Sequence, residues 1–274
     1  MTIISIGEIL WDVFPDSSKL GGAPFNFAVH AHRLGHRVVF LSAVGDDEMG
    51  VAARAQAAGL GLDTEFIQVR GDAPTGRVTV FLDAGGQPDF TIHRPAAYDF
   101  LRLDDGDLVR IAELRPDWIY FGTLFQMNEN SREQLQRLMR ALPEARVFYD
   151  VNLRRGSYTP ELVKASMKLA HVVKVNHEEA EQFPDFGRAW AAAVTKGERG
   201  SWVRIGDDAA ECTAAKVKVV DAVGAGDAFA AAFLHGAGSG WSAARTGAFA
   251  NRLGGLVASR AGAVPAWSLA ELEA

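Results

Sequence analysis

At 274 residues, 48% of them hydrophobic, the chain can bury one large α/β core with a small appendage. A net charge of −6 without a dense Lys/Arg cluster argues against nucleic acid or an anionic membrane surface as partner. Cys212 stands alone, so no internal disulfide forms, and the first residues lack both a basic region and a long apolar run; the expected location is the cytoplasm, with no signal peptide and no membrane span.

Thr2–Ile6 is an apolar run closed by Gly7 and reads as a buried strand. Glu8 and Asp12 follow it, where open α/β sheets place ligands. Pro24 opens a helix that runs to Leu34 and stops at Gly35. Arg37–Ala43 is a second strand and Glu48–Ala58 a helix. Asp63–Val69, Gly76–Leu82 and Asp89–His93 then alternate with period two, with Gly85-Gly86 as a turn. Strands without intervening helices break the rhythm and predict a small antiparallel lid, with segments at about 9–20 and 63–98.

Beyond Asp107 the strand–helix rhythm returns. Strands are expected at Trp118–Phe121, Arg146–Tyr149, His171–Val175, Ala191–Val194, Trp202–Ile205 and Lys216–Val220. Helices are expected at Ser131–Leu142, Pro160–Ala170 and Ser242–Arg260, with a short last one after Ser268. Polar clusters recur just after strands: Asp12, then Asp150/Asn152/Arg154, Asn176/Glu179, Thr195/Gly197 and Gly224–Asp227. In a doubly wound sheet these emerge on one edge.

The last cluster, Asp221-Ala222-Val223-Gly224-Ala225-Gly226-Asp227, reads as a glycine turn opening a helix, and such a turn attracts anions. Alone, an aspartate there is an ordinary helix cap. A carboxylate beside an anion site also suits a base acting on a phosphoryl acceptor. Phe229 occupies the third-glycine position of a dinucleotide fingerprint, and no Gly-Lys-Ser/Thr loop is present.

Taken together the motifs resemble the ribokinase-like (PfkB) carbohydrate kinases. Gly21-Gly22-Ala23-x-x-Asn26-x-Ala28 resembles the first signature of that family, and Asp221-x-x-Gly224-Ala225-Gly226-Asp227 the second. Asn176-x-x-Glu179 resembles its Asn-x-x-Glu motif and Thr195-x-Gly197-x-x-Gly200 its nucleotide loop. Gly7-Glu8-Ile9-Leu10-Trp11-Asp12 is most similar to fructokinases.

The resemblance implies a single domain over 1–274: a three-layer αβα doubly wound sheet with a β lid. It implies transfer of the ATP γ-phosphoryl group to a sugar hydroxyl, most simply fructose to fructose 6-phosphate. Asp227 would take the proton, and the amides of Gly224, Ala225 and Gly226 would form the anion hole. The helix N-terminus should lower the Asp227 pKa and weaken it as a base. Asp12, Gly22 and Asn26 would hold sugar hydroxyls. Arg94 and Arg154 would reach sugar or phosphate.

Asn176 would serve the nucleotide, and Glu179 would order Mg²⁺ through its waters. Thr195, Gly197 and Gly200 would line the nucleotide cleft, with Asn251 near the adenine. Backbone carbonyls of Asp221, Val223 and Gly262 would take K⁺. Partners would be sugar and ATP, with a homodimer formed through the lid. The chain departs from the family in short segments at 181–190 and 205–216, beside the nucleotide, and in Val223, where a small polar residue is usual.

Other readings are a 2-keto-3-deoxygluconate kinase, which Arg94 would suit, another small-sugar or nucleoside kinase, and a non-catalytic sugar- or nucleotide-binding regulator. The histidines His30, His32, His36, His93 and His177 show no metal-ligand spacing.

Overall fold

A computed structural model describes residues 1–82, 88–214 and 216–273. The amino-terminal half holds β1 (Thr2–Ile6), β2 (Leu10–Phe14), β3 (Ser17–Gly21), α1 (Ala23–Arg33), β4 (Arg37–Gly45), α2 (Glu48–Gly59), β5 (Ile67–Arg70), β6 (Gly76–Leu82) and β7 (Pro88–His93). Next come α3 (Asp105–Glu113), β8 (Trp118–Gly122), α4 (Glu129–Ala141), β9 (Arg146–Asp150), α5 (Pro160–Leu169), β10 (Val172–Asn176), α6 (His177–Gln182), β11 (Ala191–Thr195), β12 (Ser201–Ile205) and β13 (Asp208–Cys212). The chain closes with α7 (Ala225–Gly238), α8 (Ala243–Ala258) and α9 (Leu269–Glu273).

The main sheet has 9 strands in the order β13-β12-β11-β10-β9-β8-β1-β4-β5. All neighbours from β11 to β5 are parallel, and the β12–β13 hairpin adds antiparallel strands at one edge. Alternation along the central strands divides the apolar side chains between two cores. Ile3, Tyr120 and Phe148 pack with α1, α7 and α8; Ile4, Phe121 and Tyr149 pack with α3, α4 and α5. Each face of the sheet is therefore covered by helices, the αβα architecture expected of parallel strands. Phe27 of α1 stacks on Tyr120 with ring centroids 3.6 Å apart. α7 is buried almost all round, which is why its sequence is alanine-rich rather than amphipathic.

The second sheet has 4 strands in the order β3-β2-β6-β7. Its β2–β3 and β6–β7 pairs are antiparallel hairpins, joined by a parallel β2–β6 pairing. Leu10, Val78 and Ile92 face the strand ends of the main sheet across a cavity.

The lid is smaller than the sequence implies. The strand expected at Asp63–Val69 forms only over Ile67–Arg70 and pairs with β4, so it extends the main sheet. Alternation signals a half-buried strand but not the sheet it joins. Gly85-Gly86 lies outside the described residues.

No strand forms at Lys216–Val220. Val219 and Val220 are exposed, and the amides of Val220 and Asp221 bond to the Ala258 carbonyl rather than to a neighbouring strand. The edge strand is instead β13, whose sequence Asp-Ala-Ala-Glu-Cys carries little β signal. Among the described residues no helix is long and apolar enough to cross a membrane.

Candidate active site

Gly224 caps α7 in the left-handed conformation, φ 80°. A side chain there would also run into the Ala263 backbone, so the turn requires glycine twice over. The Ala225 amide donates to the Ala222 carbonyl at 3.3 Å, so it closes the turn instead of facing outward as expected. The amides of Gly224 and Gly226 take no backbone partner among the described residues. They remain, with the helix dipole, as the anion-attracting groups.

Asp227 follows on the first turn, buried, and its Oδ2 accepts a hydrogen bond from Asn26 Nδ2 at 2.8 Å. Burial pushes its pKa up to about 6, helped by nearby Asp150; Lys174, the Asn26 bond and Arg154 pull the other way. The downward shift expected from the helix terminus is thus outweighed by desolvation. Asp227 is a better base than its position in the helix suggests.

Below α7 lies a buried triad, of which only Asp150 stands out in the sequence, as a polar residue at a strand end. Lys174 Nζ bonds both oxygens of Asp150, at 3.1 and 3.2 Å, and Tyr120 donates to Asp150 Oδ2 at 3.0 Å. A β-carbon at Gly226 would sit 3.3 Å from Lys174 Nζ, so the helix start approaches the ammonium closely. The signal was available: a lysine inside the apolar run His171–Val175 is tolerated only when paired.

Asp227 opens into a cavity of about 430 Å³ between the lid and the strand ends. Glu8, Asp12, Gly22, Asn26, Arg154 and Lys174 line it. Asp12 sits on lid strand β2 opposite Lys19, and burial raises its pKa to about 6 against the pull of Arg154. A β-carbon on Gly21 would lie 3.1 Å from Asp12 Oδ2 and 4.0 Å from Asn26 Oδ1, so these two acceptors flank one point. Gly22, φ 110°, packs against the Glu8 carbonyl with no room for a side chain. Glu8 itself, which the sequence noted without a role, is 4% exposed; burial raises its pKa to about 7.

Arg154 stands on the cavity wall just past Asn152, whose φ of 39° turns the chain after β9. Arg94 does not reach that wall. Its guanidinium is paired with buried Asp99, donates to the Leu124 carbonyl at 2.8 Å and lies over the Tyr98 ring. An arginine bordering the lid looks the same in sequence whether it faces the cavity or braces the loop below it.

Asn176 and Glu179 form a reciprocal cap of α6. Asn176 Oδ1 accepts from the Glu179 amide at 2.9 Å, and Glu179 Oε2 from the Asn176 amide at 2.8 Å. Glu179 Oε1 accepts from the Leu153 amide at 2.6 Å, which ties the Arg154 loop to α6. With both oxygens engaged by amides, Glu179 is no direct metal ligand. Among the described residues no group of three or more His, Cys, Asp or Glu is placed to hold a metal.

A second cleft of about 600 Å³ adjoins the first. It is lined by Gly197, Gly200, Val217, Phe229 and Asn251, and it shares Thr195, Ala222 and Gly226 with the cavity. Gly197 and Gly200 have φ 60° and 91°, and a β-carbon on Gly200 would strike the Cys212 carbonyl. Asn251 spends its amide nitrogen on the Cys212 and Thr213 carbonyls, at 3.0 and 3.3 Å. It thus fixes the cleft floor. Asp221 accepts from the Val223 and Gly262 amides, at 3.1 and 3.0 Å, and pairs with Lys19 at 2.9 Å. This ion pair joins the lid to the glycine turn.

The sequence matches the pfkB family carbohydrate kinases over residues 10–269. The chain belongs to that family. The kinase is 31% identical to an uncharacterized sugar kinase of Pyrococcus horikoshii, over 97% of this chain and 92% of that protein. It is 29% identical to a fructokinase of Vibrio alginolyticus, over 83% of this chain and 81% of the relative. Its fold superposes on the crystal structure of a fructokinase with bound ATP from Xylella fastidiosa, with a TM-score of 0.87, 26% identity, and coverage of 99% of this chain and 97% of that one. The kinase is a sugar kinase with the ribokinase-like fold, a phosphotransferase acting on an alcohol group.

Proposed function

We propose that the kinase transfers the γ-phosphoryl group of ATP to a hydroxyl of fructose, giving fructose 6-phosphate. One observation carries this reading. Asp227 lines a cavity that also presents Glu8, Asp12, Asn26 and Arg154, and its neighbour Gly226 on the anion-attracting turn is shared with a second, largely apolar cleft. Sugar fits the first and nucleotide the second, so their reacting ends meet at Asp227.

Asp12 and Asn26 accept hydrogen bonds from the sugar's hydroxyls, and Arg154 closes that side. Asn26 also holds the Asp227 carboxylate through its amide. Asp227 takes the proton of the attacking hydroxyl as the new O–P bond forms and the bond to ADP breaks. The Gly224 and Gly226 amides stabilise charge on the transferred group, the largest contribution such a site makes. Lys174, just below, is paired with Asp150 and packs close under the start of the helix. Magnesium held by the triphosphate and water would neutralise the charge on the phosphates. Glu179 and Asn176 act on it only at a distance, by shaping the loop. K⁺ at the carbonyls of Asp221, Val223 and Gly262 belongs to the same proposal; comparing turnover in potassium and tetramethylammonium buffers tests it.

A coupled assay with MgATP and a panel of fructose, ribose, 2-keto-3-deoxygluconate, aminoimidazole riboside and adenosine tests the function. The expected result is highest kcat/KM for fructose. Preference for the sugar acid or a nucleoside replaces the substrate, and no phosphorylation of any acceptor favours a non-catalytic regulator.

A further inference from the structure

Glu8 lines the sugar cavity from the loop between β1 and β2, and its backbone is fixed by close packing against Gly22. Its Oε2 is fully buried and has no hydrogen-bond partner among the described residues. The neighbouring buried carboxylates are different. Asp99 is held by Arg94 and the Ala96 amide, Asp150 by Lys174 and Tyr120, and Glu179 by two backbone amides. Among the fully buried polar atoms of the cavity's described side chains, only Glu8 Oε2 and Asn26 Oδ1 lack partners, and both are acceptors. A buried acceptor left without a donor is costly, and a ligand hydroxyl removes that cost.

The charges on this wall point the same way. Glu8, Asp12 and Asp227 are carboxylates. Lys174 is committed to Asp150, and Arg94, which together with Arg154 attracts the Glu8 charge, is itself paired with Asp99 outside the cavity lining. Arg154 is the remaining lining cation, and it is exposed.

We propose that Glu8 is a specificity-determining residue. It accepts a hydrogen bond from an acceptor hydroxyl other than the one phosphorylated. Together with Asp12 it makes the cavity select neutral polyhydroxy sugars over sugar acids. The inference rests on the reading of this cavity as the sugar site. It assigns a task to a carboxylate that neither proton transfer nor phosphate binding uses.

The test is a cycle between protein and substrate. Wild type, Glu8→Gln and Glu8→Ala are assayed at pH 8, where a carboxylate with a pKa of about 7 is mostly ionised, with MgATP on fructose, its 1-, 3- and 4-deoxy analogues, and 2-keto-3-deoxygluconate. With wild type, one deoxy analogue should lose roughly 10- to 100-fold in kcat/KM, the range for a hydrogen bond to a charged group. In Glu8→Ala that loss should shrink to within about 3-fold, because the partner is gone. Fructose KM should rise more than kcat falls, with the KM for MgATP unchanged; damage to the fold would move both.

The preference for fructose over 2-keto-3-deoxygluconate should narrow by roughly 10-fold in Glu8→Ala. Glu8→Gln keeps an acceptor oxygen and should fall between, and it carries the cycle if Glu8→Ala does not fold. A deoxy penalty of full size in the variants overturns the role of Glu8 and leaves the sugar-kinase reading standing. A wild type that phosphorylates no sugar overturns both.

Discussion

Asp227 carries opposed demands, and its surroundings show how they are balanced. Burial holds its pKa near 6, while the bond from Asn26 limits the rise. The carboxylate must be ionised to take a proton, so kcat should fall as pH drops through about 6 and level off above it. A pH–rate profile of wild type against Asn26→Ala reads this directly; losing the Asn26 bond should move the acid limb upward.

The same shift affects stability with the opposite sign. The native state holds a proton on Asp227 that the unfolded chain releases at its lower pKa, so stability falls as pH rises from about 4 to about 6. Above that range the buried charge costs on the order of 3 kcal/mol. Asp227→Asn should therefore lose turnover yet melt higher than wild type at pH 8, by calorimetry. An equal or lower melting temperature refutes the burial argument. Asp12→Ala should chiefly raise the KM for sugar, by roughly 10-fold for a lost hydrogen bond to a charged group; an unchanged KM removes Asp12 from the sugar contacts.

The gathering of these residues in one cavity was partly legible. Asp12, Asn26 and Asp227 sit in short motifs whose residue types need particular backbone around them, so sequence located them. Lys174, Asp150 and Tyr120 meet from strands far apart in the chain, and only the register of β8, β9 and β10 aligns them. Arg94 shows the converse, since the carboxylate that captures it, Asp99, lies in an unremarkable loop.

At the level of elements, the glycine turn before α7 is the part least able to change. Gly224→Ala combines a left-handed backbone with a clash against Ala263, at a cost of at least ~1–2 kcal/mol. It should lower the melting temperature and turnover together, whereas Asp227→Ala should cut turnover without lowering the melting temperature. A Gly224→Ala enzyme with near-normal kcat would show that the turn is not needed in this form.

The parallel strands and their helices were readable because each buried strand is an apolar run closed by a polar cluster. The lid was readable only in outline. Whether an alternating strand joins the lid or the sheet edge depends on which neighbour offers free backbone groups. β5 found them on β4, outside the lid. The exposed run Lys216–Val220 has β propensity but no neighbouring strand among the described residues to satisfy it; Val217 and Val219 border the second cleft instead.

Across the whole molecule, two helical layers make a rigid platform and place the strand ends on one edge. The lid stands over that edge, tied to the glycine turn by the Lys19–Asp221 pair. Because that pair is part-exposed, Lys19→Ala should alter substrate affinity more than stability. Among the described residues the lid ends in strands β3 and β7, and strand edges invite a second copy. We expect a homodimer joined there, which light scattering tests.

The central claim is that Asp227, at the meeting point of cavity and cleft, deprotonates the sugar hydroxyl for phosphoryl transfer. Fructose-dependent ADP release by wild type and Asp227→Ala at pH 8, alongside calorimetric fructose binding, tests it most directly. The account predicts a fall in kcat of at least ~10²-fold, the range for removing a general base, with fructose affinity within a few-fold of wild type. A variant that keeps turning over fructose at close to the wild-type rate contradicts it.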